Sequence, residues 1–143
     1  MQAARSGKIN MEDGSTILLI EDDPDINTIV RLALEATGYR VVVGTGMVQA
    51  LALLTAAPIA LILAAPLRRP GTGESAERWA GLEQIREHAP AIPIVIFTAA
   101  NADDFAGYRA RGFSDLLLKP FSIDQLINIV RRNLRQPLHQ ILG

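Results

Sequence analysis

The sequence contains no cysteine. Disulfides, thiolate nucleophiles and Cys-ligated metals are therefore excluded. It has no surplus of either charge: 14 Lys and Arg stand against 15 Asp and Glu, a net charge of −1. A dedicated nucleic-acid binder usually carries a basic surplus, so direct nucleic-acid contact is not expected. Long apolar runs are missing too. The longest, 56–67, contains Pro58 and Pro66 and is too short to cross a bilayer. Residues 1–15 are polar and lack the apolar segment of a cleaved signal. The expectation is a cytoplasmic protein without membrane contact. His88 and His139 have no acidic partner at ligand spacing and read as ordinary surface residues.

What is present suits one domain. The chain has 143 residues, 49% of them apolar, enough for a sizeable core. Residues 1–15 read as a flexible leader, 16–136 as the domain and 137–143 as a tail. Residues 16–20 form a short apolar, β-rich run. Asp23 and Pro24 suit a helix start, because Asp caps free N–H groups and Pro fits the first turn. Ile26, Ile29, Val30, Leu32, Ala33 and Leu34 then recur at helical spacing, and Gly38 stops that helix. A second strand is expected over 41–43, a second helix over 48–56 ended by Pro58, and a third strand over 59–63. Residues 66–80 read as a loop, with Pro70, Gly71 and Gly73 as breakers. A short helix over 82–88, a strand over 92–97, a helix over 102–111 weakened by Gly107 and a strand over 116–118 follow. Ser122 caps a last helix through Leu134, striped by Ile123, Leu126, Ile127, Val130 and Leu134, and Pro137 ends it. Five strands alternating with five helices predict an α/β fold, a doubly wound parallel sheet of (βα)5 type.

Ligands of such sheets bind at the carboxyl ends of the strands. Glu21, Asp22 and Asp23 follow the first strand, and six of the fifteen acidic residues fall between Glu12 and Asp25. Thr98 closes the fourth strand, and Lys119 with Pro120 follows the fifth. Carboxylates can hold Mg²⁺ through oxygen, and a lysine with a hydroxyl can hold a phosphoryl group. The arrangement outlines a phosphoryl-binding site.

At this point the chain resembles the receiver domains of response regulators in two-component phosphorelay signal transduction, which have a flavodoxin-like fold. The segment Ile17-Leu-Leu-Ile-Glu21-Asp22-Asp23-Pro24 resembles their first strand and acidic pocket. Ile92-Pro-Ile-Val-Ile-Phe-Thr98-Ala99 resembles their fourth strand, and Gly112-Phe-Ser-Asp115-Leu-Leu-Leu-Lys119-Pro120-Phe121 their fifth. The likeness runs from about Thr16 to Leu134, in order. It implies that Glu21 and Asp22 would be the metal-binding acids, that Thr98 would contact the phosphoryl group and that Lys119 would neutralise it. The family's phosphoacceptor aspartate closes the third strand. Here that segment reads Leu61-Ile-Leu-Ala64-Ala65-Pro66, and counting from Pro58 puts the acceptor position at Ala64. Neither Ala64 nor its neighbours Leu63 and Ala65 has a side-chain oxygen. A carboxylate is what accepts a phosphoryl group as an acyl phosphate, so the resemblance implies an atypical member with no catalytic residue. Mg²⁺ binding should also be weak or absent, and no other cofactor is expected. Two more departures agree. Leu116 stands where the family usually has an aromatic residue. Gly81-Leu82 comes about nine residues later than the family pattern, leaving a long segment with Arg68, Arg69, Glu74, Glu77, Arg78 and Trp79 beside the site.

Plainer readings stand beside these. Glu21 and Asp22 would make a solvated helix entrance, Lys119 an ion pair with Asp22, and Thr98 a cap on the following turn. Trp79 is either an anchor packed on the sheet edge or a partner hot spot. Arg131, Arg132 and Arg135 complement the dipole of the last helix. The expected function is a phosphorylation-independent receiver that acts by protein–protein contact and is not an enzyme. By resemblance, its partners would be other signalling proteins, such as a histidine kinase or an output domain. A homodimer would use helix four, strand five and helix five, here 102–111, 114–118 and 122–135, with Tyr108, Phe113 and Phe121 as contact residues. Two alternatives stay open: a phosphorelay receiver using a displaced carboxylate (Asp23, Glu74 or Glu77), and a module binding a small anion near Lys119 and Thr98.

Overall fold

The computed structural model describes residues 15–67, 74–99 and 101–142, with side chains over 15–67, 79–99 and 101–134. The elements run β1 (Thr16–Ile20), α1 (Pro24–Ala36), β2 (Arg40–Gly44), α2 (Met47–Ala56), β3 (Leu61–Ala64), α3 (Glu74–His88), β4 (Ile94–Thr98), a 3₁₀ turn (Ala102–Phe105), β5 (Asp115–Leu118) and α4 (Ile123–Leu142). The strands form one parallel sheet in the order β2-β1-β3-β4-β5. Strand order reverses between β1 and β3, which puts the topological switch point beside Glu21.

The sheet is covered on both faces, as its continuously apolar strands require. Ile17, Leu19, Leu61, Leu63, Val95 and Phe97 pack with Val30 and Leu34 of α1 and with Leu126 and Val130 of α4. The alternate residues Leu18, Ile20, Ile62, Ala64, Ile94 and Ile96 pack with Ala50 of α2, Leu82 and Ile85 of α3, and Phe105 and Phe113. Period-two alternation divides the strands between two apolar layers, each closed by helices.

Helix ends follow local chemistry. Asp23 accepts from the amides of Asp25 and Ile26, and Pro24 occupies the first turn of α1. Gly38, at φ 108°, turns the chain after α1. At α4, Ser122 Oγ accepts from the Gln125 amide at 3.0 Å while Gln125 Oε1 accepts from the Ser122 amide at 2.8 Å, a reciprocal capping box.

Three expectations are corrected. The loop expected over 66–80 ends early, because α3 begins at Glu74. Its partly buried Trp79 and buried Leu82 and Ile85 form a stripe too narrow to stand out in a polar segment. Residues 102–111 are not a helix. A 3₁₀ turn is followed by a series of turns, with Gly107 at φ 79° and Gly112 at φ 98°. Left-handed residues stop a right-handed helix from propagating. Third, α4 passes Pro137 and continues to Leu142, across the expected start of the tail. A proline removes one backbone hydrogen bond and can be carried within a helix. On α1 the buried stripe is also narrower than its apolar residues suggest: Ile29 and Leu32 are 50% and 58% exposed.

The edge strand β5 is fastened to α4 by an acid. Asp115 Oδ2 accepts from Arg132 Nη2 at 2.6 Å and from Asn133 Nδ2 at 3.1 Å, while its Oδ1 accepts from the Leu116 amide at 3.0 Å. This contact corrects the reading of Arg132 as a dipole complement alone. Asp115 and Asn133 are buried, whereas the Arg132 side chain is 62% exposed. The buried carboxylate therefore matters more than the exposed guanidinium. Asp115→Ala should cost about 2 kcal/mol in urea unfolding by stranding buried donors, whereas Arg132→Ala should cost at most about 1 kcal/mol. Equal costs would contradict this division.

Candidate functional site

Glu21 and Lys119 follow the ends of β1 and β5, with β3 and β4 between them. Backbone hydrogen bonds carry the sheet past its formal ends. The Glu21 amide donates to the Gly44 carbonyl, the Ala65 amide to the Ile20 carbonyl and the Lys119 amide to the Thr98 carbonyl. All three strand-end segments thus converge on the carboxyl edge.

Lys119 crosses that edge to reach Glu21. Its Nζ donates to Glu21 Oε1 at 2.5 Å and lies 4.5 Å from the centroid of the Phe97 ring, which packs on Phe121 at 5.3 Å. The side chain therefore runs over an aromatic surface from β5 towards β1. Glu21 Oε2 accepts from the Asp23 amide at 3.0 Å, and the Glu21 carbonyl accepts from Asn27 Nδ2 at 2.8 Å. The Glu21 and Lys119 side chains are 4% and 20% exposed, so water screens this pair only weakly.

Lys119 pairs with Glu21, not with the expected Asp22, because Glu21 is the acid turned into the protein. Asp22 and Asp23 are exposed, and Asp23 is engaged as the α1 cap. Nor is Glu21 part of a solvated entrance. Thr98 is buried at the end of β4, and its carbonyl anchors Lys119.

Ala64 closes β3, in register with Ile20 of β1 and Ile96 of β4, and is fully buried. From Leu61 to Leu67 the chain has no side-chain oxygen. Mg²⁺ takes oxygen ligands, commonly one or two carboxylates together with water, and Glu21 and Asp22 are the acids at this edge. Both Glu21 oxygens already accept hydrogen bonds, Asp22 is exposed, and β3 adds no carboxylate. Among the described residues, no group of three or more His, Cys, Asp or Glu could hold a metal ion.

The remaining expected residues are scattered. Phe113 is 2% exposed and packs against Trp79, so it is core and not a contact residue. Tyr108 and Phe121 are partly buried against opposite core layers. Trp79 lies on α3, against Phe105 and Phe113. Arg68 and Arg69 lie outside the described residues, as do the side chains of Glu74, Glu77, Arg78, Arg135 and His139. Sequence reasoning missed Asn27. Its signal was there: Asn27 falls in helical phase with buried Val30 and Leu34, where an amide needs a partner.

No protein-family model matches the chain. Among curated proteins it is similar to the DNA-binding transcriptional regulator NtrC of Escherichia coli (strain K12), 29% identical over 120 residues, covering 81% of this chain and 24% of that protein. It is also similar to the transcriptional regulatory protein TrcR of Mycobacterium tuberculosis, 30% identical over 137 residues, covering 92% of this chain and 51% of the relative. The chain thus spans about a quarter of the first and half of the second. Among solved structures, NtrX from Brucella abortus superposes with a TM-score of 0.77 at 24% identity, over 90% of this chain and 29% of that one. A two-component response regulator from Clostridium difficile superposes at 0.72 and 24% identity, over 85% of this chain and 96% of that one. No helix among the described residues is long and apolar enough to cross a membrane. The five-stranded parallel sheet and the likeness to these solved structures show a flavodoxin-like fold of the receiver type.

Proposed function

We propose that this chain is a receiver domain of response-regulator type that works without phosphorylation, as a signalling module acting by protein–protein contact. The observation that carries the reading is the Glu21–Lys119 bridge, drawn across an edge where β3 offers Ala64 in place of a carboxylate. Phosphoryl transfer to a receiver needs a carboxylate nucleophile, and an alanine methyl has no lone pair to attack with. The lysine that would neutralise a phosphoryl group is held by Glu21, and the acid that would bind Mg²⁺ is held by the lysine. Each group satisfies the other in a poorly screened setting. Without a ligand that prefers one state, no population shift is driven from this edge.

The alternatives have less support. Asp23 is a poor displaced acceptor because its carboxylate caps α1. A small anion near Lys119 would meet the Glu21 carboxylate as well as the ammonium. Signalling partners, such as a histidine kinase or an output domain, and a homodimer through 102–111, 114–118 and 122–135 belong to the same proposal. Leu118 and Ile123 are exposed large apolar residues within those segments, with Tyr108 and Phe121 partly buried.

Incubation with Mg²⁺ and acetyl phosphate should leave the intact mass unchanged; a stable gain of one phosphoryl group overturns the proposal. Millimolar Mg²⁺ should likewise leave Tm unmoved in the native chain, whereas Lys119→Met, which frees Glu21 Oε1, should respond to the ion. Lys119→Met alone should cost about 3 kcal/mol by leaving Glu21 buried and uncompensated. Adding Glu21→Gln should recover more than half of that loss in a double-mutant cycle. Additive losses would show that the bridge does not bind these residues as a pair.

A further inference from the structure

The segment between β4 and β5 has a second anchor, on the opposite face of the sheet from the Glu21–Lys119 bridge. After the 3₁₀ turn its backbone folds on itself. The Tyr108 amide donates to the Phe105 carbonyl, that of Gly112 to Arg109 and that of Phe113 to Tyr108. Such turns have little cooperative stability of their own. Contacts from the segment to α3 converge on Trp79. Phe105 meets the indole edge-on at 5.3 Å and Phe113 lies at 5.7 Å. The Arg111 guanidinium sits 4.0 Å from the Trp79 ring centroid, and its Nη1 donates to Glu83 Oε2 at 2.8 Å. Trp79 and Glu83 are four residues apart on α3, hence on one face. Arg111 therefore grips α3 at two points one turn apart, combining a cation–π contact with an ion pair.

This anchor is physically separate from the carboxyl-edge bridge. Lys119 crosses Phe97, which belongs to the layer under α1 and α4, whereas Trp79, Phe105 and Phe113 belong to the layer under α2 and α3. We propose that the conformation of the 102–113 surface is set from α3, through a latch of Trp79, Arg111 and Glu83, and not from the strand-end site. The inference goes beyond the phosphorylation-independent reading and does not rest on it. A chain that did accept a phosphoryl group would still hold this latch.

Hydrogen exchange of the whole chain tests it. Arg111→Gln should raise exchange at the amides of Tyr108, Arg111, Gly112 and Phe113 roughly fivefold, since an exposed cation–π contact and ion pair are lost together. The amides of Glu21, Ala65 and Lys119 should be unchanged. Trp79 is the only tryptophan, so its acrylamide quenching should increase in the same variant. Glu83→Gln should show a smaller effect in the same direction, and Lys119→Met should leave all four segment amides unaffected. Unchanged exchange in Arg111→Gln overturns the latch. Acceleration of the segment by Lys119→Met to the same extent overturns its independence from the edge.

Discussion

A lysine ammonium held on a buried glutamate governs the functional edge of this domain. Taking either charge out of water is costly, and the cost is met only when the partner is in place. Glu21 is fixed from its other side by the Asp23 amide, and its backbone carbonyl by Asn27, so the acid has one position to offer. Lys119 is fixed by its backbone bond to Thr98 and by the aromatic surface beneath its chain. The capping box that begins α4 leaves only a short connection after β5, which further limits where the ammonium can go.

The fold was largely legible because burial on both faces leaves a plain mark. β3 is apolar throughout, and β1 and β4 are apolar but for one terminal threonine each, and no short surface element needs such runs. The capped ends of α1 and α4 were legible for the same reason of local chemistry: Asp23-Pro24 and Ser122 satisfy free amides in the first turn. Elements that depend on tertiary contacts were harder to read. The start of α3 was hidden because its stripe rests on one tryptophan and a few aliphatic residues in a polar segment. The 102–113 region has helix-compatible composition, but its two left-handed glycines decide otherwise.

The site was legible in its membership and not in its pairing. Glu21, Thr98, Lys119 and the alanine at the end of β3 all lie where strand-end reasoning puts them. Which acid takes the lysine depends on which one turns inward, and adjacent residues of a strand end point to opposite faces. Asp115 was missed because the strand expected over 116–118 left it outside, as an acid in the preceding turn, whereas the strand begins with it. Its partners Arg132 and Asn133 are supplied by a helix still to come in the chain.

The two ends of the edge bridge are 98 residues apart in sequence. Contacts of such separation must wait until most of the intervening chain has been ordered. During synthesis, β1 emerges with Glu21 long before β5 exists to supply its counter-charge. The acid has to stay hydrated until the last strand docks, so this edge of the sheet can be sealed only in the closing step of folding.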